Sequence, residues 1–175
     1  LSGTGSIAPA TDNSVYINGS FVVGDSTSAA TPSSFGLTTS GTGSTVLGAT
    51  STVFMDLFSG AGLGDNTTTS AAADYASLNG NLNITAGSML VLTNPNGMTG
   101  FSVGDKWKLF DWSGLTTAVS GTNIQFDLPV LTGGLVWNTS ELFTTGFLIV
   151  AVPEPSRALL LFVAAFAMVF HRRRF

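Results

Sequence analysis

Histidine is the side chain best suited to moving protons at neutral pH, and this chain has only one, His171, inside a basic C-terminal tail. A Ser-His-Asp triad or a histidine metal site upstream of the tail is therefore excluded within the chain. With no cysteine, thiol nucleophiles, disulfide frameworks and cysteine zinc sites are excluded as well. No glycine-rich loop ending in Lys-Ser or Lys-Thr is present to cradle a phosphate. Carboxylates remain. Asp56, Asp65, Asp74, Asp105, Asp111 and Asp127 could supply the acid and base of a glycoside hydrolase if two lay about 5 to 9.5 Å apart. Most sit beside glycine, asparagine or strand ends, where turn formation and solvation explain them more cheaply. Gly62-Leu63-Gly64-Asp65 resembles one imperfect copy of a calcium nonapeptide and reads as an ordinary turn. Trp107, Trp112 and Trp137 could stack on sugar rings. Trp107 alternates with apolar neighbours, which favours core packing.

The most specific spacing lies at the C-terminal end. Val152, Pro153, Glu154, Pro155, Ser156 and Arg157 precede an unbroken apolar run: Ala158, Leu159, Leu160, Leu161, Phe162, Val163, Ala164, Ala165, Phe166, Ala167, Met168, Val169 and Phe170. His171, Arg172, Arg173, Arg174 and Phe175 close the chain. As a helix the run spans about 20 Å, short of the ~30 Å hydrocarbon core. Arg157 can snorkel at one end and the arginine cluster at the other, so a span can use most of residues 153–175 with local thinning. A run that is apolar on every side and closed by three arginines argues for a membrane helix over a core helix. The arginines stay cytoplasmic, which puts residues 1–152 on the far side. Pro153 and Pro155 forbid a regular helix or central strand, leaving an extended, protease-readable stretch outside the bilayer.

The Val-Pro-Glu-Pro-Ser motif of residues 152–156, the short apolar helix and the terminal arginines, in that order and spacing, resemble the PEP-CTERM sorting signal of bacterial exported proteins. The resemblance covers residues 152–175. It implies a sorting motif and linker at 152–157, a hydrophobic helix at 158–170 and a basic cytoplasmic anchor at 171–175. It also implies a partner, an exosortase-type membrane transpeptidase. Such an enzyme cuts near the motif while the tail is held in the inner membrane, and passes the body to the cell surface or extracellular polysaccharide. Other C-terminal signals likewise place a cleavable motif ahead of a hydrophobic tail. Export also calls for an N-terminal signal peptide. Residues 1–10 have neither a basic nor an apolar stretch, so the expectation is a fragment or processed chain lacking upstream sequence.

Composition constrains the elements that hold these residues. At 175 residues one domain is expected. Only 9% of residues are charged, against about a quarter in ordinary soluble domains. Serine and threonine together supply 43 residues and glycine 21, so hydroxyls wet the surface and turns are frequent. The net charge of −4 divides unevenly: residues 1–156 carry two lysines against all ten acids, and residues 157–175 carry four arginines. An acidic body repels phosphate backbones, and nucleic acid is not expected as a partner. No cofactor is implied.

Along the body, short apolar alternations are separated by glycine, asparagine, serine and threonine. Val15-Tyr16-Ile17 and Phe21-Val22-Val23 flank Asn18-Gly19-Ser20, a hairpin or tight-turn signal. Residues 26–44 read as loop or weak edge strand. Residues 52–58 form a strand, and residues 75–92 alternate through turns at Asn79-Gly80 and Ala86-Gly87. Phe101, Val103, Trp107 and Leu109 share one pleat face of a long strand, with Lys106 and Lys108 on the other. Ser2-Gly3-Thr4-Gly5-Ser6 recurs as Ser40-Gly41-Thr42-Gly43-Ser44, a weak hint of internal repetition.

In the second half, a strand after Gly104-Asp105 is followed by Leu128-Pro129, by Gly134-Leu135-Val136-Trp137-Asn138-Thr139-Ser140, and by Thr145-Gly146 before a last strand. That order resembles the C-terminal part of autotransporter-associated β-strand repeat proteins over roughly residues 45–152, and it implies a passenger displayed outside the cell. The expectation is an all-β body over residues 1–151, a β-solenoid (parallel β-helix-like) or a β-sandwich, with one C-terminal transmembrane helix. A solenoid hides strand edges by stacking; an antiparallel sandwich accommodates the hairpin signals. Two function classes follow. One is a non-catalytic cell-surface or extracellular-matrix protein, at the inner membrane as a precursor and with extracellular polysaccharide as a further partner. The other is a glycan-binding or glycan-active module, which needs a convergent carboxylate pair or a coplanar exposed tryptophan pair.

Overall fold

The computed structural model describes residues 1–24, 32–58, 73–115, 119, 121 and 123–154. Every regular element among them is a strand, and the fold is all-β. The first set is β1 (Ser2–Gly3), β2 (Gly5–Ile7) and β3 (Val15–Ile17); the second is β4 (Ser20–Val23), β5 (Ser34–Thr38) and β6 (Ser44–Leu47). Then come β7 (Thr52–Asp56), β8 (Tyr75–Ile84), β9 (Met89–Thr93), β10 (Lys106–Lys108), β11 (Phe110–Leu115) and β12 (Gln125–Asp127). The last two are β13 (Val136–Asn138) and β14 (Phe147–Ala151).

Most of these strands pair in parallel with the strand one set earlier. β1, β4, β7, β9 and β12 form one five-stranded parallel ladder. β2, β5, the first half of β8 and β11 form a second; β3, β6 and the second half of β8 form a third. β8 serves two ladders because it turns at Gly80, whose φ is +92°. Asn79 pairs with Thr38 of β5, whereas Asn81 pairs with Ser44 of β6. A Cβ at Gly80 would stand 2.3 Å from the Thr39 carbonyl oxygen, so only glycine fits that corner.

In-register pairing stacks like side chains into columns. Phe21, Val53, Leu90 and Phe126 are successive partners in the first ladder; Ile7, Leu37 and Leu78 in the second; Ile17, Leu47 and Ile84 in the third. The period of two along each strand turns alternate residues inward, and the burial of β7 and β9 alternates accordingly. Phe21 of β4 meets Phe35 of β5 edge to face with centroids 5.3 Å apart, joining two ladders through one core.

The C-terminal strands pair differently. β10, β14 and β13 form an antiparallel sheet with β14 central. It is joined to the second ladder through Gly146 (φ +84°), whose carbonyl accepts the N–H groups of Leu109 and Phe110. Trp107, 1% exposed, and Leu148 and Val150 of β14 belong to the same core as the columns.

One local expectation narrows and three change. Of the hairpin or tight turn expected at Asn18-Gly19, the structure has the tight turn, a corner: β3 pairs with β6, while β4 pairs with β1 and β7. Ser34–Thr38 is an interior strand with neighbours on both sides, not an edge. The long strand from Phe101 is interrupted by a turn at Val103-Gly104, and Val103 is 59% exposed. The two Ser-Gly-Thr-Gly-Ser segments occupy different places, the first within β1 and β2, the second in the turn before β6.

Candidate functional site

Two places gather polar chemistry, and their geometries differ. The first is where the first ladder leads into the second, at the end of β7 and the starts of β5 and β8. Asp74, 2% exposed, stands just before β8. Its Oδ1 accepts the Ser33 N–H at 2.9 Å and its Oδ2 accepts the Asp56 N–H at 3.0 Å. A bridge between Leu57 and Ala73 sits beside it, and the Asp56 carboxylate accepts the Thr93 hydroxyl. Burial pushes the Asp74 carboxyl up to about 6; the two N–H bonds oppose the rise and the Asp56 charge adds to it. A carboxyl this enclosed, with a backbone N–H on each oxygen, fastens three strands together. Nearby, burial and a hydrogen bond to Asp111 raise the Tyr75 phenol above its ordinary value.

The second place is a groove of about 510 Å³ on the antiparallel sheet. Residues 136–140, in and after β13, and Ala151, Val152 and Glu154, at and after the end of β14, line it. β13 and β14 lie side by side there, with Val136 opposite Ala151 and Asn138 opposite Ile149. The Asn138 side chain accepts the Ser140 N–H at 2.9 Å, which fixes the turn after β13. Trp137 is held from behind: its Nε1 donates to the Pro129 carbonyl at 2.7 Å, and its ring meets those of Phe101 and Trp107 edge to face at 5.7 Å.

The three tryptophans do not form a coplanar pair. Trp107 is buried, Trp137 lies at 64° to it, and Trp112 stacks on Phe110 at 4.6 Å while donating to the Leu142 carbonyl. Asp105 accepts the Ser102 N–H, the turn role its neighbours suggest. Among the described residues no group of three or more histidine, cysteine, aspartate or glutamate side chains could hold a metal ion.

Of the residues expected to form a sorting motif, Val152, Pro153 and Glu154 are exposed immediately after β14. Pro155, Ser156, the apolar run 158–170 and Arg172, Arg173 and Arg174 lie outside the described residues, as do Asp65 and the loop around it. Among the described residues no helix is long and apolar enough to cross a membrane. Residues 137–140 and the pair Val152 and Glu154 stand apart in the sequence, and both line one groove. The sequence pattern alone does not mark Asp74 as a buried clamp. The available signal is its setting between Ala73 and Tyr75, apolar on both sides where a turn aspartate has glycine or asparagine.

No known protein family matches the chain, and no curated protein or solved structure is similar to it.

Proposed function

We propose that this chain is an exported bacterial surface or matrix protein, non-catalytic, whose β-solenoid body is sorted through a PEP-CTERM-like tail and cut there by an exosortase-type transpeptidase. The observation that carries the reading is the exposure of Val152-Pro153-Glu154 directly after the last strand. Proteases bind exposed segments free of regular structure, and Val152, Pro153 and Glu154 are exposed and belong to no helix or strand.

The solenoid reading is supported over a sandwich by pairing direction. Every ladder contact among β1 to β9, β11 and β12 is parallel and in register with the preceding set, apart from one shift within β11. Antiparallel sandwiches pair neighbouring strands through hairpins instead. A non-catalytic role is supported by how the aspartates are engaged: Asp12, Asp74 and Asp105 all accept backbone N–H groups and shape the chain. The glycan-module reading has less support, because all three indoles are committed to ring contacts within the fold.

The test is intact mass and C-terminal peptide mapping of protein recovered from the native host's membrane and extracellular fractions. The expected extracellular form ends between Val152 and Ser156 and lacks residues 158–175. A full-length tail on all extracellular protein would overturn the reading.

A further inference from the structure

Asparagine followed by glycine occurs at three places among the described residues: Asn18-Gly19, Asn79-Gly80 and Asn96-Gly97. In such a pair the backbone nitrogen of the glycine can attack the asparagine side chain, because no Cβ crowds its approach and both groups are held close in one chain. The fold treats the three pairs differently. Asn79 donates from Nδ2 to the Thr38 hydroxyl at 3.2 Å, its oxygen lies where a Cβ of Gly114 would stand, and Gly80 is buried. Asn96 donates from Nδ2 to the Phe58 carbonyl at 2.9 Å, and the Gly97 N–H donates to the Asn94 carbonyl at 3.1 Å. Asn18 and Gly19 are exposed between β3 and β4, and among the described residues no hydrogen bond holds the Asn18 side chain or the Gly19 N–H. The Asn18 side chain has its place because residue 48 is glycine: a Cβ there would stand 2.0 Å from Asn18 Oδ1. One contact does reach the pair, since the Asn18 carbonyl accepts the Thr50 hydroxyl at 2.6 Å.

We propose that Asn18-Gly19 is a self-modifying site, at which the folded chain converts its own asparagine to aspartate and isoaspartate with the Thr50 hydroxyl assisting. The inference is independent of the sorting reading. The Gly19 nitrogen gives its proton to hydroxide, and the charge spreads onto the Asn18 carbonyl oxygen of the same peptide group. Thr50 donates to that oxygen, and a donor placed where negative charge develops lowers the barrier. The nitrogen then bonds to Asn18 Cγ, the Cγ–Nδ2 bond breaks, and Nδ2 leaves as ammonia with a proton from water, closing a cyclic imide. Water opens the ring. Breaking the bond from the nitrogen to Cγ gives aspartate, and breaking the bond from the nitrogen to the main-chain carbonyl carbon gives isoaspartate. Either product adds a negative charge to the corner. Isoaspartate also carries the main chain through Cβ and Cγ, which lengthens the corner between two fixed registers, Ile17 on Leu47 and Ser20 on Thr52. Conversion therefore acts on the joint between the third ladder and the first.

The experiment incubates the purified full chain at neutral and at mildly alkaline pH, folded and in concentrated urea. Peptide mapping follows the mass change of –NH2 replaced by –OH at each of the three pairs and separates aspartate from isoaspartate, and far-UV circular dichroism reports the fold. In the folded protein Asn18 is expected to convert about tenfold faster than Asn79 and Asn96, a barrier difference of ~1.4 kcal/mol, and faster at the higher pH. In urea the three rates converge, because each asparagine is then simply followed by glycine. Thr50→Val removes the donor and is expected to slow Asn18 about fivefold, less than the ~100-fold that loss of a buried donor costs, since water reaches this corner. Thr50→Ser keeps the donor and the wild-type rate, and Thr50→Ala replaces Thr50→Val if the latter fails to fold. Gly19→Ala, whose added Cβ meets no atom within 4 Å and whose backbone lies outside the left-handed region, folds normally and suppresses conversion. Equal rates at the three pairs in the folded protein, or the same ranking in urea, overturn the site. An unchanged rate in a folded variant without the Thr50 hydroxyl overturns the assisted mechanism.

Discussion

In the parallel ladders each buried column is built from one inward residue per strand, most of them aliphatic, as in Ile7, Leu37 and Leu78 or Ile17, Leu47 and Ile84. The antiparallel sheet at the C-terminal end packs instead around rings, with Phe101, Trp107 and Trp137 meeting edge to face at 5.7 to 5.9 Å. The ladders extend by repetition, because a further parallel strand finds the same pattern waiting beneath it. The sheet ends that repetition, because antiparallel pairing and a cluster of large rings offer no equivalent layer to the next strand. The repeating region fixes its one buried carboxyl, Asp74, as a fastening between strands; the region that stops the repeat holds the exposed groove and Val152, Pro153 and Glu154. That is why the candidate site sits on the smaller part of the body.

The sharpest way to break the comparison is to empty one core at a time. Leu37 and Trp107, 0% and 1% exposed, occupy the middle of the aliphatic column and of the ring cluster. Truncating either to alanine leaves a cavity that neighbours only partly fill, with an expected loss of about 3 to 5 kcal/mol for Trp107→Ala and about 2 to 5 kcal/mol for Leu37→Ala. Both residues belong to one continuous core, so urea unfolding followed by tryptophan fluorescence and by far-UV circular dichroism should show a single coincident transition in each variant, shifted to lower denaturant. A fluorescence transition that separates from the circular dichroism transition in Trp107→Ala would mean that the sheet is a unit of its own, and the ladders and sheet would then be two folds in contact.

A somewhat smaller effect distinguishes the ladder connections from the sheet. Asp74 fastens β7 to the start of β8 with its carboxyl raised from 3.8 to about 6 by burial. The folded state therefore keeps this proton over a pH range in which the unfolded chain releases it. Its contribution to stability is full below pH 3.8, is lost as pH rises toward 6, and is absent above that. The loss amounts to at most about 3 kcal/mol, because each tenfold difference in proton affinity between the folded and the unfolded chain is worth ~1.4 kcal/mol, and screening by nearby water lowers it further. Asp12, lowered by its hydrogen bonds to Thr42, acts in the opposite sense, so the wild-type slope alone is not diagnostic. The slope of Asp74→Asn subtracted from that of wild type isolates the group. The expected difference falls between pH 4 and 6, read from urea midpoints; a pH-independent difference would show that Asp74 is not the titrating clamp.

Legibility in the sequence divides along the same line. The alternation of residues 75–92 shows a strand because inward and outward positions differ in polarity, and residues 52–58 and 147–150 show strands as short apolar runs. Pairing direction is not legible, because Asn18-Gly19 serves a hairpin and a corner equally well and the choice is made by partners far away in sequence. β5 is hidden for a related reason. Ser34-Phe35-Gly36-Leu37-Thr38 is weak as an isolated strand, and it becomes interior only through Gly5–Ile7 on one side and Tyr75–Asn79 on the other. The tail motif needs no fold to be seen, since its information lies in the order of neighbouring residues. The pairing of β13 with β14 is not legible in the same way, because no local pattern encodes which strands become neighbours.

The smallest expected effects test whether charge contributes anything to the sheet that the ladders lack. Residues 1–156 hold only two lysines, and both are on β10. Lys106 places its Nζ 4.8 Å from the centre of the Phe147 ring on the neighbouring strand, and Lys108 approaches the Asp111 carboxylate at 3.6 Å. Both point to the face opposite Trp107, so their aliphatic stems cover the sheet while their charges stay near water. Lys106→Met keeps the stem and removes the cation, with an expected loss of about 0.5 to 1 kcal/mol. Lys108→Met should lose about 0.2 to 1 kcal/mol, and that loss should shrink in about 1 M salt, where the screening length falls to ~3 Å. Urea midpoints at low and high salt separate the two contributions, because a cation held over a ring at short range is screened less than an ion pair open to solvent. Two silent variants would leave the rings as the whole difference between sheet and ladders, and the placement of both lysines on β10 would then have to be explained by what approaches that face from outside.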